Sequence, residues 1–308
     1  MGSFDSLLMI FTMIGIGVFL AKKGVLNKDT NKVFSKLVVG YALPLMMIVS
    51  LPTRFTKEML VESLGGIIVA FLSIGLTYII ARIICIIIKI EPRKRGLFCT
   101  MMAFANAIFI GLPMNMSLLG EESAPFVFLF YMANTILFWT VGVYGIRQSG
   151  RKNERISGVE TVRRVFSPPL IGFLIGAFLV ISGIRLPYFV EKSFSYMGQL
   201  TTPLAMLFIG TVISEIDFKG IRLDRCGYGI LIGRFLIAPV IMCFVLSFVE
   251  LPSLLETVFK IEASMPIITQ SALVSDYYEA NAEYAAFMVA LSTLLTLIII
   301  PIYSTVFI

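Results

Sequence analysis

Two stretches of the chain set a proline among amide and hydroxyl side chains in the middle of an apolar run. One reads FANAIFIGLPMN from Phe104 and the other reads EASMPIITQS from Glu262. Pro113 and Pro266 each remove a backbone donor and clash with the preceding turn of a helix. In lipid, the freed backbone groups need partners inside the protein or in a hydrated cavity. The pattern therefore predicts two broken helices whose half-helix N-termini offer N–H groups and partial positive charge to an anion.

An ordinary proline kink is the alternative for either stretch taken alone, because transmembrane helices tolerate proline. Two stretches in matching positions, each with amides beside its proline, favour a binding site. The predicted substrate-binding residues are polar and helix-breaking residues of both stretches and one amide between them: Asn106, Gly111, Pro113, Asn115, Asn134, Pro266, Thr269 and Gln270. Asn134-Thr135 and Ser292-Thr293 could also face the crossing and bind polar groups. For these pairs, hydrogen bonding between packed helices is the favoured alternative.

Two charged residues inside apolar runs are predicted to take part in ion coupling. Glu262 lies one turn before Pro266. Burial favours the neutral form of a carboxyl group, so Glu262 could carry a proton near neutral pH; a vestibule position with no role in transport is the alternative. Arg234 lies deep in another apolar run, where arginine is costly unless paired or hydrated. It could meet a substrate carboxylate, pair with Glu262 or extend toward the cytoplasm, as Arg82 does more easily from a helix end.

The residue types that metal and redox sites need are missing or scattered. The chain has no histidine, and its four cysteines show no CxxC spacing. No cofactor, transition-metal site or disulfide set is therefore expected. An intramembrane enzyme is disfavoured, since the sequence has no Ser-Lys pair with a supporting motif and no paired intramembrane aspartates. No basic run is interleaved with exposed aromatics, so nucleic acid is not an expected partner.

The composition places these residues in a membrane. Of the 308 residues, 58% are hydrophobic and 14% are charged. A soluble domain needs more charge to cover its surface. Apolar runs bounded by charges or turn residues predict ten transmembrane segments, numbered here in chain order: 4–20, 34–51, 63–90, 96–119, 124–146, 168–184, 194–213, 226–249, 254–275 and 283–307. The two proline stretches fall in segments 4 and 9.

The distribution of basic residues predicts the orientation. Of the 25 lysines and arginines, 18 lie in or beside the loops that follow odd-numbered segments and 5 beside the others. Basic residues resist translocation, so the odd loops are predicted to be cytoplasmic and both termini outside. The loop at 148–167 is long and basic, and we interpret it as a linker between residues 1–147 and 168–308.

Weak internal similarity suggests that these two parts are repeats. At a shift of 159 residues, Gly17 matches Gly176 and Pro44-Leu45 matches the Pro-Leu at 203–204; near 153, Pro113 matches Pro266. Each part contains five segments, and an odd number inverts the second part relative to the first. The predicted fold is an all-α integral membrane protein of ten helices, arranged as two inverted repeats with broken, crossing helices 4 and 9.

An ordered series of motifs resembles the auxin efflux carrier family over nearly the whole chain. These motifs are the stretch from Phe104 to Pro113, YALPL at 41–45, SPPLIG at 167–172, TTPLAMLFIG at 201–210, EASMP at 262–266 and LSTLLTL at 291–297. The resemblance implies ten helices in two inverted repeats with crossing segments 4 and 9. It also implies an elevator-like movement of segments 3–5 and 8–10 against segments 1, 2, 6 and 7. Gln270 departs from the pattern, since many relatives carry asparagine there, and the long central loop of plant members is missing.

The expected function is secondary active transport of small organic anions, with malate-like, malonate-like or auxin-like carboxylates as the substrate class. Coupling to protons or to the membrane potential is favoured. The alternative is a sodium-coupled organic anion symporter of the bile-acid-transporter type, which the scarcity of acids near the crossing disfavours. A membrane sensor is a third class, although no output domain is recognisable. The expected partners are the anion and the lipid bilayer of the plasma membrane, with a homodimer as a possible assembly.

Overall fold

The computed structural model describes residues 3–151, 157–215 and 223–308, and the regular elements in these ranges are helices. One isolated antiparallel bridge joins Ala105 and Ile267. Within these ranges, six helices are long and apolar enough to cross a membrane, or up to seven if one bent pair counts as a single span. An all-α, multi-pass membrane architecture is thus confirmed, whereas ten spans in two inverted repeats stay a prediction.

Eight of the predicted segments correspond to continuous helical stretches. In chain order these are Ser3–Lys22, Lys28–Arg54, Lys57–Ile87, Glu121–Ser149, Pro168–Ser182, Tyr188–Ser214, Arg225–Leu246 and Ala282–Phe307, for segments 1, 2, 3, 5, 6, 7, 8 and 10. Segment 7 begins earlier than predicted, because Glu191 lies in its first turn, where an acidic side chain complements the helix dipole. The predicted linker contains a short helix, Gly158–Val165, which meets segment 6 at 55°.

Segments 4 and 9 are each divided into two helices. Segment 4 consists of Pro92–Ala103 and Ala107–Leu119, and segment 9 consists of Ser253–Ala263 and Gln270–Tyr277. We call residues 104–106 the first break and residues 264–269 the second break. Both breaks were expected from the prolines, but Pro113 lies two turns after the first break, inside a helix, whereas Pro266 lies within the second.

Wide π-type turns precede three of the prolines. The turns Val38–Ala42, Ala107–Gly111 and Gly233–Ile237 end two residues before Pro44, Pro113 and Pro239. Proline lacks an N–H and its ring pushes away the carbonyl four residues back, so the backbone widens there. At Pro239 that carbonyl belongs to Phe235, and the Tyr303 hydroxyl donates to it. A side chain from segment 10 thus satisfies a group that the proline leaves free.

Segments 1, 2, 6 and 7 pack closely through small residues. Segment 1 lies on segment 7, and segment 2 on segment 6. A Cβ added to Gly17 would lie 2.9 Å from the Leu207 carbonyl oxygen, and one added to Gly172 would lie 2.5 Å from Pro44 Cα. Such close backbone approach is how helices associate in lipid, where burial of apolar surface gives little driving force.

Segment 3 presents a continuous apolar face to the outside of the protein. Large exposed side chains recur along it every three or four residues: Val61, Leu64, Ile68, Leu72, Leu76, Ile79, Ile83 and Ile86. Residues at this spacing share one face of a helix. An unbroken apolar face of this length is unsuited to water and fits the hydrocarbon of a bilayer.

We predict that a cysteine placed at Ser157 lies on the cytoplasmic side. Ser157 is exposed and caps the helix Gly158–Val165, in the basic linker that the charge distribution predicts to be inside. Labelling of Ser157→Cys in intact cells with a membrane-impermeant maleimide should fail and should appear after the cells are opened.

Ser253→Cys is the matched control, because Ser253 is exposed at the start of segment 9, on the predicted outer side. It should label in intact cells. The native Cys85, Cys99 and Cys226 are buried and give little background. Labelling of Ser157→Cys in intact cells would reverse the predicted orientation.

Candidate functional site

The two breaks lie against each other and share backbone hydrogen bonds. The Asn106 N–H donates to the Pro266 carbonyl at 2.8 Å, and the Ile268 N–H donates to the Phe104 carbonyl at 3.1 Å. These bonds flank the bridge between Ala105 and Ile267. Two interrupted helices that would each expose unpaired backbone in lipid therefore satisfy part of that backbone mutually. The predicted meeting of segments 4 and 9 at their broken regions is present in the structure.

Side chains from segments 5 and 10 satisfy more of the exposed backbone. Asn134 accepts from the Ala105 N–H at 3.1 Å and donates to the Ala105 carbonyl at 3.0 Å. The Ser292 hydroxyl accepts from the Ile267 N–H at 3.2 Å and donates to the Val289 carbonyl. Both side chains thus act on the two bridged residues, one in each break. In the sequence, Asn134-Thr135 and Ser292-Thr293 correspond at a shift of 158 residues, but nothing there indicates these backbone partners.

Asn106 begins the second half of segment 4. Its Oδ1 accepts from the Phe109 N–H at 3.2 Å, which is the bond of an N-cap. Its Nδ2 donates to Thr269 Oγ1 at 2.9 Å, at the point where the second half of segment 9 begins. Asn106 therefore holds the N-termini of both second halves together. The first-turn N–H groups of a helix have no acceptor within the helix, and each N-terminus carries partial positive charge.

Arg234 lies at the opposite ends of the broken helices. Its side chain is buried in the wide turn of segment 8, and its Nη1 donates to the Met102 carbonyl at 3.1 Å and the Ala103 carbonyl at 2.8 Å. Its Nη2 donates to the Ala263 carbonyl. These carbonyls end the first halves of segments 4 and 9, where partial negative charge collects. One guanidinium therefore caps two helix C-termini.

Pairing with Glu262 was one of the alternatives predicted for Arg234, and the structure gives it backbone carbonyls instead. No salt bridge within 4.0 Å joins the side chains of Arg234 and Glu262, both of which are described in full. Arg234 also does not extend toward the cytoplasm, since it is 1% exposed. Arg82 is exposed, as expected for an arginine near the end of a helix. The sequence indicated that Arg234 needed partners but could not show which.

Glu262 is fully buried and contacts the second half of segment 4. Its Oε1 accepts from Asn115 Nδ2 at 2.8 Å. Asn115 Nδ2 also donates to the Gly111 carbonyl at 2.9 Å. A Cβ at Gly111 would collide with the Glu262 carboxyl group in its present position, so another residue there would force this carboxyl group to move. The vestibule alternative for Glu262 is wrong, because its side chain is 0% exposed.

A small cavity of about 30 Å³ lies where the second halves begin. Among its lining residues are Asn106, Asn134 and Gln270, and three aromatic or β-branched residues that the sequence did not single out: Tyr131, Trp139 and Val39. The first turn of the helix that begins at Ala107 also lines it. The volume is enough for one or two water molecules. A carboxylate substrate therefore requires this cavity to widen.

The predicted substrate residues divide into two groups. Asn106, Asn134 and Gln270 meet at the cavity. Thr269 and Pro266 lie one step behind it, as hydrogen-bond partners of Asn106. The others, Gly111, Pro113 and Asn115, lie farther along segment 4, and all three are buried. The structure thus does not bring that second group to the cavity, and Gly111 and Asn115 contact Glu262 instead.

Comparison with known proteins places the chain among membrane transporters. A family model described as membrane transport protein matches residues 3–304. An uncharacterized transporter of Methanocaldococcus jannaschii is 24% identical over 307 residues, which is 97% of each chain. One from Methanothermobacter thermautotrophicus is 24% identical over 315 residues, with 99% of each chain covered. One from Escherichia coli is 21% identical over 221 residues, 69% of each chain. The similarity therefore extends over nearly the whole chain.

We predict that Arg234→Met destabilises the protein strongly. Three buried carbonyls lose their donor, and each unsatisfied buried acceptor costs about 1–3 kcal/mol. The free energy of unfolding should fall by at least about 2 kcal/mol, measured as a lower midpoint of thermal unfolding in detergent. Arg234→Lys should recover part of the loss, because an ammonium donates three hydrogen bonds but lacks the planar fork.

Arg82→Met makes the same chemical change at an exposed position. It should shift the free energy of unfolding by about 0.5 kcal/mol or less. Equal stability of Arg234→Met and Arg82→Met would show that the three carbonyls do not depend on the guanidinium.

Proposed function

The chain belongs to the membrane transport protein family, and we propose that it is a secondary active transporter of small organic anions. The family match confirms the resemblance to auxin efflux carriers that the sequence predicted. The family and the names of its relatives indicate a transporter rather than an enzyme. Malate-like, malonate-like or auxin-like carboxylates are the proposed substrate class.

The observation that carries this proposal is the sorting of helix ends at the crossing. Arg234 neutralises the two C-termini, while the two N-termini begin beside one cavity that Gln270 and Asn106 line. Helix N-termini bind carboxylate and phosphate groups through free N–H groups and partial positive charge. The Gln270 amide makes no hydrogen bond within the described structure and is free to bind polar groups of a substrate. The site therefore suits a small anion with a carboxylate.

The packing supports the proposed inverted repeat. Gly17 of segment 1 lies against Leu207 and Gly210 of segment 7, and Gly176 of segment 6 lies against Met47 and Leu51 of segment 2. At the shift of 159 residues found in the sequence, Gly17 corresponds to Gly176 and Leu51 to Gly210. The contact of Gly17 with Gly210 is thus equivalent to that of Gly176 with Leu51, whereas Leu207 corresponds to Ile48 and not to Met47. Asn134 and Ser292, which support the two breaks, correspond at a shift of 158.

The elevator movement that the resemblance implies would act across the boundary between segments 1, 2, 6 and 7 and the remaining segments. A cavity of about 350 Å³ lies at that boundary, between segments 2 and 7 and the end of segment 4. Arg54 of segment 2 pairs across it with Glu121 and lies 3.9 Å from Glu122, in the turn before segment 5. These ion pairs would have to break if the two groups of segments slide.

Coupling to a proton or to the membrane potential is the favoured mode, and the sodium-coupled symporter is the second candidate. Glu262 supports the first, because it is a buried acid beside the crossing and is held by an uncharged amide. Among the described residues, no group of three or more acidic, cysteine or histidine residues could hold a metal ion. We place the chain in the plasma membrane with both termini outside, in line with its charge distribution.

The test of the site is anion binding by Gln270→Ala. Removing the free amide should weaken binding of the best anion in a carboxylate screen by at least about tenfold, since a hydrogen bond to a charged group is worth about 1.5–3 kcal/mol. The thermal midpoint should stay unchanged, because Gln270 has no hydrogen bond within the described structure. Asn106→Ala should weaken both, because Asn106 also caps a helix.

Gln148→Ala is the matched control, since Gln148 is exposed at the end of segment 5 and lies outside the cavity. Its affinity should equal that of the unmodified protein. Unchanged affinity of Gln270→Ala and Asn106→Ala would remove the crossing from the substrate site.

We predict that tying segment 2 to the turn before segment 5 stops transport. Arg54→Cys and Glu121→Cys, joined by a short bifunctional maleimide, would fix a pair that now spans the boundary. Uptake into proteoliposomes should be lost on cross-linking, while anion binding is retained. The two single variants, treated in the same way, should keep transport. Full activity of the cross-linked double variant would exclude sliding at this boundary.

A further inference from the structure

The contact between Glu262 and Asn115 has two buried oxygen atoms without a hydrogen-bond donor. Glu262 Oε1 accepts from Asn115 Nδ2, but Glu262 Oε2 has no partner. Asn115 Nδ2 gives its two hydrogens to Glu262 Oε1 and to the Gly111 carbonyl, and Asn115 Oδ1 has no partner either. Both side chains are 0% exposed. If Glu262 were ionised, Glu262 Oε2 and Asn115 Oδ1 would both be acceptors, and neither residue would have a hydrogen left to donate to them.

One proton on Glu262 Oε2 supplies the missing donor. A carboxylic acid and a primary amide can form a ring, in which the amide N–H donates to one acid oxygen and the acid O–H donates to the amide oxygen. The first of these bonds is in place at 2.8 Å. The second joins the two unpartnered oxygens, and it needs a rotation about the terminal torsions of both side chains, which are soft.

The charges around Glu262 do not remove the need for this proton. Arg234 is a charged side chain bound next to Glu262, since its Nη2 donates to the carbonyl of the adjacent Ala263. Its guanidinium, however, donates to the carbonyls of Met102, Ala103 and Ala263, so its charge is already offset by two helix C-termini. Lys260, on the same helix, pairs with Glu256 at 3.4 Å. Segment 4 presents an uncharged amide and a glycine. Burying a carboxylate without a bonded cation is unfavourable, which favours the neutral acid.

A metal ion does not fit the same place. Hard cations such as calcium take six to eight oxygen ligands, and here two oxygens lack a partner. Space is also short, since the Glu262 carboxyl group lies against Gly111 so closely that a single added carbon would collide with it. A proton needs one donor and one acceptor and no extra volume.

We propose that Glu262 and Asn115 form one proton-binding site, with the proton on Glu262 Oε2 donated to Asn115 Oδ1, and that this proton is the coupled ion of the transporter. The claim that this proton is the coupled ion rests on the proposed function, whereas the existence of the proton site does not. The O–H bond forms with a proton taken from water and breaks by returning it to water. The closed crossing seals the site from water, so exchange occurs when the two halves of segments 4 and 9 open.

Infrared spectroscopy of the purified protein tests the site without any substrate. The unmodified protein at neutral pH should show the C=O stretch of a protonated carboxylic acid. The band should shift when glutamate carries a ¹³C carboxyl group, and it should be lost in Glu262→Gln. Of the described glutamates, Glu262 alone is buried, so the isotope shift assigns the band even if that variant fails to fold. Absence of the band in the unmodified protein overturns the proposal.

Two isosteric changes test coupling. Glu262→Gln keeps the ring, with an amide in place of the acid, but cannot release a proton. The initial transport rate of the unmodified protein in proteoliposomes should depend on pH between about pH 5 and pH 8, and that of Glu262→Gln should not. Adding Asn115→Asp moves the acid to segment 4 and leaves an acid–amide pair, so the double variant should regain pH dependence. Asn115→Asp alone places two acids side by side, so it serves as the control in which the acid–amide pair is lost.

The outcomes separate the two proposals. An unchanged pH profile in Glu262→Gln, or transport that follows sodium and not pH, overturns proton coupling at this site. The infrared band together with no binding of any anion leaves the proton site intact and contradicts the proposed function. The band together with anion binding and a pH profile that returns in the double variant supports both.

Discussion

The centre of this protein is organised by the backbone groups that two helix breaks inside a membrane leave without partners. Arg234 satisfies the carbonyls at the C-terminal ends of the two first halves. Two helices that stop within an apolar environment leave carbonyl groups with no water to bind. The Arg234 guanidinium donates to the last carbonyls of both. Its own burial is in turn tolerable because two helix C-termini together offset about one positive charge. The buried guanidinium and the two buried helix C-termini therefore stabilise each other.

The remaining polar groups at the crossing follow the same constraint. Asn134 and Ser292 reach from neighbouring segments to Ala105 and Ile267, and Asn106 joins the two second halves. Amides can donate and accept at once, which is why asparagine can satisfy both backbone groups of Ala105. This use of side chains leaves Gln270 as the amide at the cavity that has no bond within the described structure. Under the proposed function, structural and substrate roles are thereby divided among similar residue types.

The local sequence predicted the helices and their breaks better than it predicted which groups hydrogen-bond to one another. Apolar runs and charge distribution indicated a helical membrane protein, and the prolines indicated which two segments break. Those signals arise within one or two turns of chain, where propensity and period act. The partners of Arg234 lie 131 and 132 residues away in segment 4, and no local pattern reports them. Pro113 also misplaced the first break, because the wide turn before it keeps the helix continuous and the interruption falls at 104–106.

The charge balance of the crossing links the proposed anion site to the proposed proton site. Arg234 and the two C-termini nearly cancel, so the N-termini at the cavity leave a net positive field in a medium of low dielectric. If Glu262 is neutral, a carboxylate at the cavity offsets that field; if Glu262 is ionised, it offsets part of the field itself and an arriving anion meets a like charge. In the proposed cycle, anion binding is therefore favoured when the acid keeps its proton, and the two proposed ligands favour each other's binding by equal free energies. Such reciprocity requires both sites to act on one element, and segment 9 is that element, since Glu262 ends its first half and Gln270 begins its second.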